Sequence, residues 1–451
     1  MAQALPGLSG IERTALAIYG LVLRILQPLL RRKLRRRAQQ EPEYGLNVAQ
    51  RFGYYVDDAP PGGLVWLHAV SLGETRAAAL LLPALREAIP GMRLLLTHGT
   101  ATGLAQGRAL LQPGDEQAWL PWDTAQATRQ FLVHFKPRIG LLMETEVWPG
   151  LVEACRHARV PLCLLNARMS EKSWRQASRW SWLSGPAYRG LSLVLAQSPT
   201  DALRLQSLGG QDVRVVGNLK FDVTVSAQAQ ALANRWQDVL SARPVVMLAS
   251  TREGEEALWL QALQSQPSRL ARLQALGVLW LLVPRHPQRF DDVQVLVEQA
   301  GWRCERRSAW GAGAPDASRV AAADVVLGDS LSEMQAYYLV SRMALLGGSF
   351  APLGGQNLIE AAACGCPVVM GQHTFNFSDA AALAAEQGAA VRVQDMHAAL
   401  DHVVLALEHP QWLSQAQAAT AQLLEKGRGA VAQHMTALKA MVPFAMDTGR
   451  K

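Results

Sequence analysis

Along most of the chain, short continuous apolar runs alternate with longer Ala-, Leu- and Gln-rich stretches of helical character. The runs fall at residues 64–70, 94–97, 139–143, 162–165, 191–196 and 213–216. After a change of texture near 218–225 they resume at 245–249, 278–283, 325–327, 344–346 and 368–370. Strands that read as unbroken apolar runs, separated by helices, belong to parallel sheets covered on both faces. The pattern therefore predicts an α/β protein with two doubly wound domains. A single (β/α)8 barrel, which takes about 250 residues and eight such units, fits the count less well. The stretch 380–445 is Ala- and Gln-rich and predicts helices.

The N-terminal end departs from this rhythm. Residues 15–23 are nine unbroken apolar positions, interrupted afterwards by Arg24 and Pro28, whereas a spanning helix needs about 20. Eight basic side chains stand against three acidic ones within residues 1–43, net +5 of the chain's +7. The basic character is thus local, which speaks against a general nucleic-acid surface. The pattern predicts a helix lying in or dipping into a bilayer, with the basic cluster 31–37 on anionic headgroups at about 1 kcal/mol per residue. The positive-inside tendency then places the remainder on the cytoplasmic side. An ordinary amphipathic helix with a solvated Arg tail is the alternative. Hydrophobic residues make up 49% and charged ones 18% of the 451 positions, which excludes a mainly disordered chain. Five scattered cysteines without a CxxC pair fit a reducing compartment better than a disulfide framework or a zinc site.

In open α/β sheets ligands bind beyond the carboxyl ends of the strands, so the residues just after each run carry the chemical interest. After the first run comes His68-Ala-Val-Ser-Leu-Gly-Glu74. Glu74, where a strand turns into a helix, is placed to act as a general base or simply to favour the helix N-terminus. After 139–143 stand Glu144, Glu146 and Trp148. Two carboxylates so close raise one another's pKa, and an indole can stack on a sugar; a helix-start cluster ahead of Pro149 is the plainer reading. Pro284 and Arg285 end another run, and an Arg there suits a phosphate, although a surface Arg/His pair with His286 is equally compatible. His286 has no ligand-spaced partner, so no metal is expected. Two glycine pairs, Gly347-Gly348 and Gly354-Gly355, precede a helix opening at Asn357, where free N–H groups and Glu360 could meet a phosphate and a ribose.

The ordered motifs HAVSLGE (68–74), METEVWP (143–149), NAR (166–168), GNLKFD (217–222), ASTREGEE (249–256), LVPRHPQRF (282–290), GGSF and GGQNLIEAA (347–363) and MGQHTFNF (370–377) resemble the 3-deoxy-D-manno-octulosonic acid (Kdo) transferases of lipopolysaccharide synthesis. The resemblance runs from the N-terminal apolar segment to about residue 440. It implies a GT-B architecture of two Rossmann-like doubly wound domains facing a cleft, with an N-terminal membrane-associated helix. Its division would be an anchoring segment over 1–43, an acceptor-side domain over 44–222 and a donor-binding domain with C-terminal helices over 223–451, hinged near 218–225. The implied activity is inverting and metal-independent transfer of Kdo from CMP-Kdo to a lipid A precursor, lipid IVA, on the cytoplasmic side of the inner membrane. No cofactor and no nucleic-acid partner are implied.

Residue by residue, the resemblance gives Glu74 the part of proton acceptor, and Glu144 and Lys220 that of transition-state stabilisers. It assigns CMP contacts to Pro284, Arg285, Leu331, Ser332, Glu333, Asn357, Leu358, Ile359 and Glu360. Two departures stand out. The family carries His where Arg252 stands, and Met-Gly where Leu331-Ser332 stand; the Cβ of Ser332 restricts φ where glycine would be free. Competing functions are a GT-B-fold nucleotide-sugar epimerase, which needs no anchor, and a non-catalytic nucleotide-sugar-binding membrane protein, which leaves Glu74, Glu144 and Glu146 without purpose.

Overall fold

The apolar runs become the strands of two separate seven-stranded sheets, in which every paired strand is parallel. The structure is a computed structural model and describes residues 7–311, 314–439 and 441.

In the first sheet the strands are β1 (Leu64–His68), β2 (Leu94–His98), β3 (Glu116–Trp119), β4 (Pro137–Met143), β5 (Leu162–Ala167), β6 (Leu193–Ala196) and β7 (Val213–Val215), in the order β3-β2-β1-β4-β5-β6-β7. Both faces are buried. On β1, Leu64 and Trp66 enter one core and Val65 and Leu67 the other, as the alternation of a pleated strand dictates. The strand order reverses between β1 and β4, so Glu74 and Glu144 follow the two strands that flank the switch point.

The second sheet holds β8 (Val245–Thr251), β9 (Leu279–Pro284), β10 (Cys304–Arg306), β11 (Val325–Leu327), β12 (Met343–Leu346), β13 (Val368–Met370) and β14 (Ala390–Arg392), ordered β10-β11-β9-β8-β12-β13-β14. Its switch point lies between β8 and β12, which lead into Arg252 and into the Gly347-Gly348 turn.

Eleven strands were expected from the apolar runs. The other three, β3, β10 and β14, are edge strands. An edge strand faces water along one side, so it needs no unbroken apolar run, and these three carry Glu116, Gln117, Glu305, Arg306 and Arg392.

The chain passes from one unit to the other at Asp222–Val223, inside the expected 218–225. The expected domain of 223–451 does not hold to its end, however: from Arg428 onward the chain belongs to the first unit. The helix Ala430–Leu438 explains this, because Ala430, Ala437 and Leu438 join the core of the first sheet with Val216 and Leu219.

The N-terminal segment is one helix, Gly10–Gln40, opened by a reciprocal Ser9–Glu12 capping box and continuing through Pro28. Ala15 and Leu34 are buried, and Leu34 packs with Tyr44, Phe52 and Ala101. Glu12 pairs with Arg189, which anchors the helix start to the first unit. Ile18, Leu21, Val22, Ile25 and Leu29 remain exposed. The helix is long and apolar enough to cross a membrane by length and composition.

Candidate active site

Beyond the carboxyl ends of β1 and β4 the first unit gathers three carboxylates, a lysine and a histidine. Ser71 caps the helix Leu72–Ala88, its Oγ accepting the N–H of Glu74. The Glu74 carboxylate turns back, taking the N–H of Val70 at 2.8 Å and the hydroxyl of Ser71 at 3.2 Å. Those are the bonds of a capping residue, the plainer of the two readings. A cap alone, however, would hold the carboxyl in the usual range. Burial and then Glu144 push it up, Glu146 adds to this, and the Val70 and Ser71 bonds only partly oppose it, so its pKa lies at about 8.

Glu144 ends β4 in the left-handed region, φ +55°. Its N–H donates to Leu165 O at 2.9 Å, and its nearly buried carboxylate accepts Lys220 Nζ at 2.7 Å. Lys220 stands on the short 3-10 turn Leu219–Asp222, which is tied down from both sides. Asn166 Oδ1 accepts the N–H of Leu219 at 3.0 Å, and the carboxylate of Asp222 accepts the N–H groups of Gly429 and Val431 at 2.6 and 2.5 Å. Asn166, itself at φ +50°, gives its own N–H to His434 Nε2 at 3.0 Å. His434 Nδ1 in turn donates to Ala430 O at 2.7 Å, which settles the tautomer as Nδ1–H. The C-terminal helix therefore buttresses the lysine turn.

Glu146 is engaged by neighbours other than Lys220. Its carboxylate accepts the indole N–H of Trp148 at 2.8 Å and faces His68 Nε2 at 3.8 Å.

In the second unit, Pro284 closes β9 and is buried, while Arg285 is exposed and donates its backbone N–H to Thr251 O at 2.9 Å. The glycine turn after β12 is organised by a carboxylate whose role the motif alone did not reveal. Buried Glu255 accepts the N–H groups of Gly348 at 2.7 Å, Arg252 at 2.9 Å and Phe350 at 3.1 Å. Gly347 permits no larger residue, since a Cβ there would stand 2.3 Å from Ser250 O. Its neighbour Glu256, also buried, holds Arg289 through two bonds of 2.9 and 2.7 Å. Arg252 itself reaches Glu253 at 3.2 Å.

The helix that opens after Asn357 is only six residues, Leu358–Ala363, and Asn357 Oδ1 accepts the N–H of Ile359 at 3.1 Å. That end is capped from within, so one of the donors expected for an anion is already engaged. Leu358 and Ile359 are buried in the fold, and Glu360 is half-buried in the first turn. Leu331 is 70% exposed, and Ser332 adopts φ +65°, the region where glycine is at ease. Glu333 binds Arg307 at 2.8 and 3.0 Å and accepts from Ser330. Among the described residues no three His, Cys, Asp or Glu side chains stand together as metal ligands.

Glu74, Glu144 and Lys220 are thus brought into one cluster. The nine residues expected at CMP all lie in the second unit, Pro284 at the end of β9 and the others after β9, β11 and β12.

A family model for 3-deoxy-D-manno-octulosonic-acid transferase (kdotransferase) matches residues 47–223. A 3-deoxy-D-manno-octulosonic acid transferase of Bordetella pertussis is 45% identical over 401 residues, covering 87% of this chain and 91% of that protein. One of Haemophilus influenzae is 30% identical over 396 residues, covering 86% and 90%. The solved structure of the Anabaena protein HepE in complex with UDP matches with a TM-score of 0.54 at 15% identity, over 84% of this chain and 99% of that one. That likeness speaks for the fold alone, two parallel-sheet units of the GT-B class. Shared sequence over nearly the full length of such relatives, with the ordered motifs standing at the strand ends that build these sites, means that the chain belongs to the 3-deoxy-D-manno-octulosonic acid transferase family.

Proposed function

We propose that the protein transfers Kdo from CMP-Kdo to a lipid A precursor, lipid IVA, at the cytoplasmic face of an inner membrane. An acceptor hydroxyl attacks C2 of Kdo, the C2–O bond to phosphate breaks, and CMP leaves with the electron pair. Glu74 takes the proton of the attacking hydroxyl. The observation that carries this reading is the gathering of Glu74 with Glu144, Glu146 and Lys220 beyond the carboxyl ends of β1 and β4, where burial and the two carboxylates raise Glu74 as a helix cap alone would not need.

The Lys220–Glu144 pair supports positive charge held at a defined place in the same cluster, suited to stabilising the charge that develops in the transition state. In the second unit, Arg285 offers an exposed cation for the departing phosphate. Pro284 with Leu331, Ser332 and Glu333, and Asn357 to Glu360, complete the proposed CMP site on the strength of the family's motif. The Glu333 carboxylate, engaged by Arg307, would act there chiefly by shaping the turn. The exposed apolar face of Gly10–Gln40, followed by the basic cluster, supports attachment to an anionic bilayer surface and so to a lipid acceptor.

Transfer of labelled Kdo from CMP-Kdo to lipid IVA tests the activity. In that assay Glu74→Gln should keep CMP affinity while turnover falls by about 10²–10⁴. A folded Glu74→Gln protein retaining more than about a tenth of the rate would reduce Glu74 to a helix cap.

A further inference from the structure

Within the acid cluster the family motif gives no part to Glu146 or to His68. His68 ends β1 with its side chain fully buried. Its Nδ1 lies 2.9 Å from Thr97 Oγ1 and 3.1 Å from Thr97 O. Thr97 Oγ1 already accepts the indole N–H of Trp66 at 2.8 Å, and an indole N–H can only donate. The hydroxyl proton of Thr97 is therefore available to the nearer neighbour, His68 Nδ1, whereas Thr97 O would take a proton from that atom, so the Nδ1 side admits either tautomer and the choice rests with Nε2. That nitrogen is buried, has no hydrogen-bond partner among the described residues, and lies 3.8 Å from Glu146 Oε2. A lone pair on Nε2 would face a carboxylate, so electrostatics selects the tautomer with the proton on Nε2.

We propose that His68 is a positioning residue for the transfer: its Nε2–H holds the Glu146 carboxylate and offsets part of its charge beside Glu74. This rests on the reading of Glu74 as the base. The other ionisable groups around the pair are Glu74 on the helix Leu72–Ala88, Glu144 with its partner Lys220, and His98 on β2. His98 is spoken for: its Nδ1 bonds Ala69 O at 2.9 Å and its Nε2 meets the Gln117 amide at 3.1 Å. Glu146 is one of the two carboxylates that raise Glu74. After burial and Glu144, whatever orients or partly neutralises Glu146 therefore adjusts how readily Glu74 accepts a proton. A 3.8 Å separation is long for a hydrogen bond, and such contacts tighten when a substrate excludes water.

Two isosteres separate this role from packing. In His68→Asn the amide matches the Nδ1 side of the ring and keeps the Thr97 bond but reaches nothing at Glu146. In His68→Gln the amide nitrogen stands where Nε2 stood. In the Asn variant the acid limb of kcat/KM should move upward by about half a pH unit or more, and in the Gln variant it should return toward the unmodified value. A Glu146→Gln background should make His68→Asn silent. An Asn variant that loses rate with its limb unmoved, or a Gln variant no closer to the original limb than Asn, would overturn the proposal. Carbon-13 titration of the Glu74 carboxyl reads the same shift without turnover. Absence of transfer in the unmodified protein would therefore sink the proposed function while the titration still decides about His68.

Discussion

A carboxyl held at about 8 is mostly protonated at neutral pH, and only its ionised fraction can accept a proton. Below that value kcat/KM should rise about tenfold per pH unit, and above it should level off. Glu144→Gln removes the larger of the two carboxylate contributions, which moves the limb to lower pH, while the lost pairing with Lys220 lowers turnover. A rate–pH profile in which Glu144→Gln shifts the limb upward would contradict this electrostatic account. Ser332 makes a separate test at the same scale. Its φ of +65° costs an L-residue about 1–2 kcal/mol. Ser332→Gly should therefore unfold at higher denaturant than Ser332→Val, whose branched Cβ is least suited to that region. Equal midpoints would mean that the turn relaxes freely. Asn166, Glu144 and Ser250 share the left-handed region at other strand ends of the two sites, which places backbone strain where the chemistry is proposed.

At the scale of elements, the glycine turn after β12 donates two of its N–H groups to the Glu255 carboxylate. Glu255→Gln keeps the shape but turns an amide donor toward N–H groups that need an acceptor. Hydrogen bonds to a buried charge are worth about 1.5–3 kcal/mol each, so the variant should lose at least about 2 kcal/mol of stability. It should also weaken CMP binding in calorimetry; normal affinity would detach the turn from the nucleotide. For the N-terminal helix, removal is the wrong test, because Ala15 and Leu34 belong to the fold and Glu12 anchors Arg189. Replacing Ile18, Leu21, Ile25 and Leu29 together by serine leaves those contacts intact. The variant should fold, and should sediment less with vesicles containing anionic lipid than the unmodified protein does. Unchanged sedimentation would place the membrane contact elsewhere.

For the whole molecule, the first unit depends on the return of the segment from Arg428 to its core. A protein ended at Gly427 loses the helix that fills its core and ties Asn166 and Asp222. Calorimetry should show the first unit unfolding earlier and the second unit unmoved; a single transition lowered as a whole would show that the units unfold together. Acid stability follows the same geography. His98 and His434, both in the first unit, are pushed down to about 4, chiefly by burial. Their unfolded values near 6.5 mean that the unfolded chain binds protons first. Their contribution to stability should therefore be full above about 6.5 and shrink as pH drops toward 4, against an opposite contribution from the raised Glu74, so the stability difference between the unmodified protein and His434→Gln should narrow over that range.

Period and composition decide locally what each stretch can do. Unbroken apolar runs pointed to strands of covered sheets, all of them interior except β7, and the nine-residue apolar run with its basic tail pointed to a separate helix. The chemistry-bearing strand ends followed from that, and so did the domain change near Asp222. Edge strands β3, β10 and β14 were illegible because partial exposure removes the apolar signal. The return of Ala430–Leu438 to the first unit was illegible because an Ala-rich helix suits either sheet. Only the tertiary structure could raise Glu74, since its proton affinity depends on carboxylates brought from another strand. The same holds for His434 supporting Asn166 across a separation of 268 residues and for His68 facing Glu146. A residue's type and its neighbours in sequence set its capabilities; its proton affinity and its partners depend on distance and burial, and these exist only once remote segments have packed.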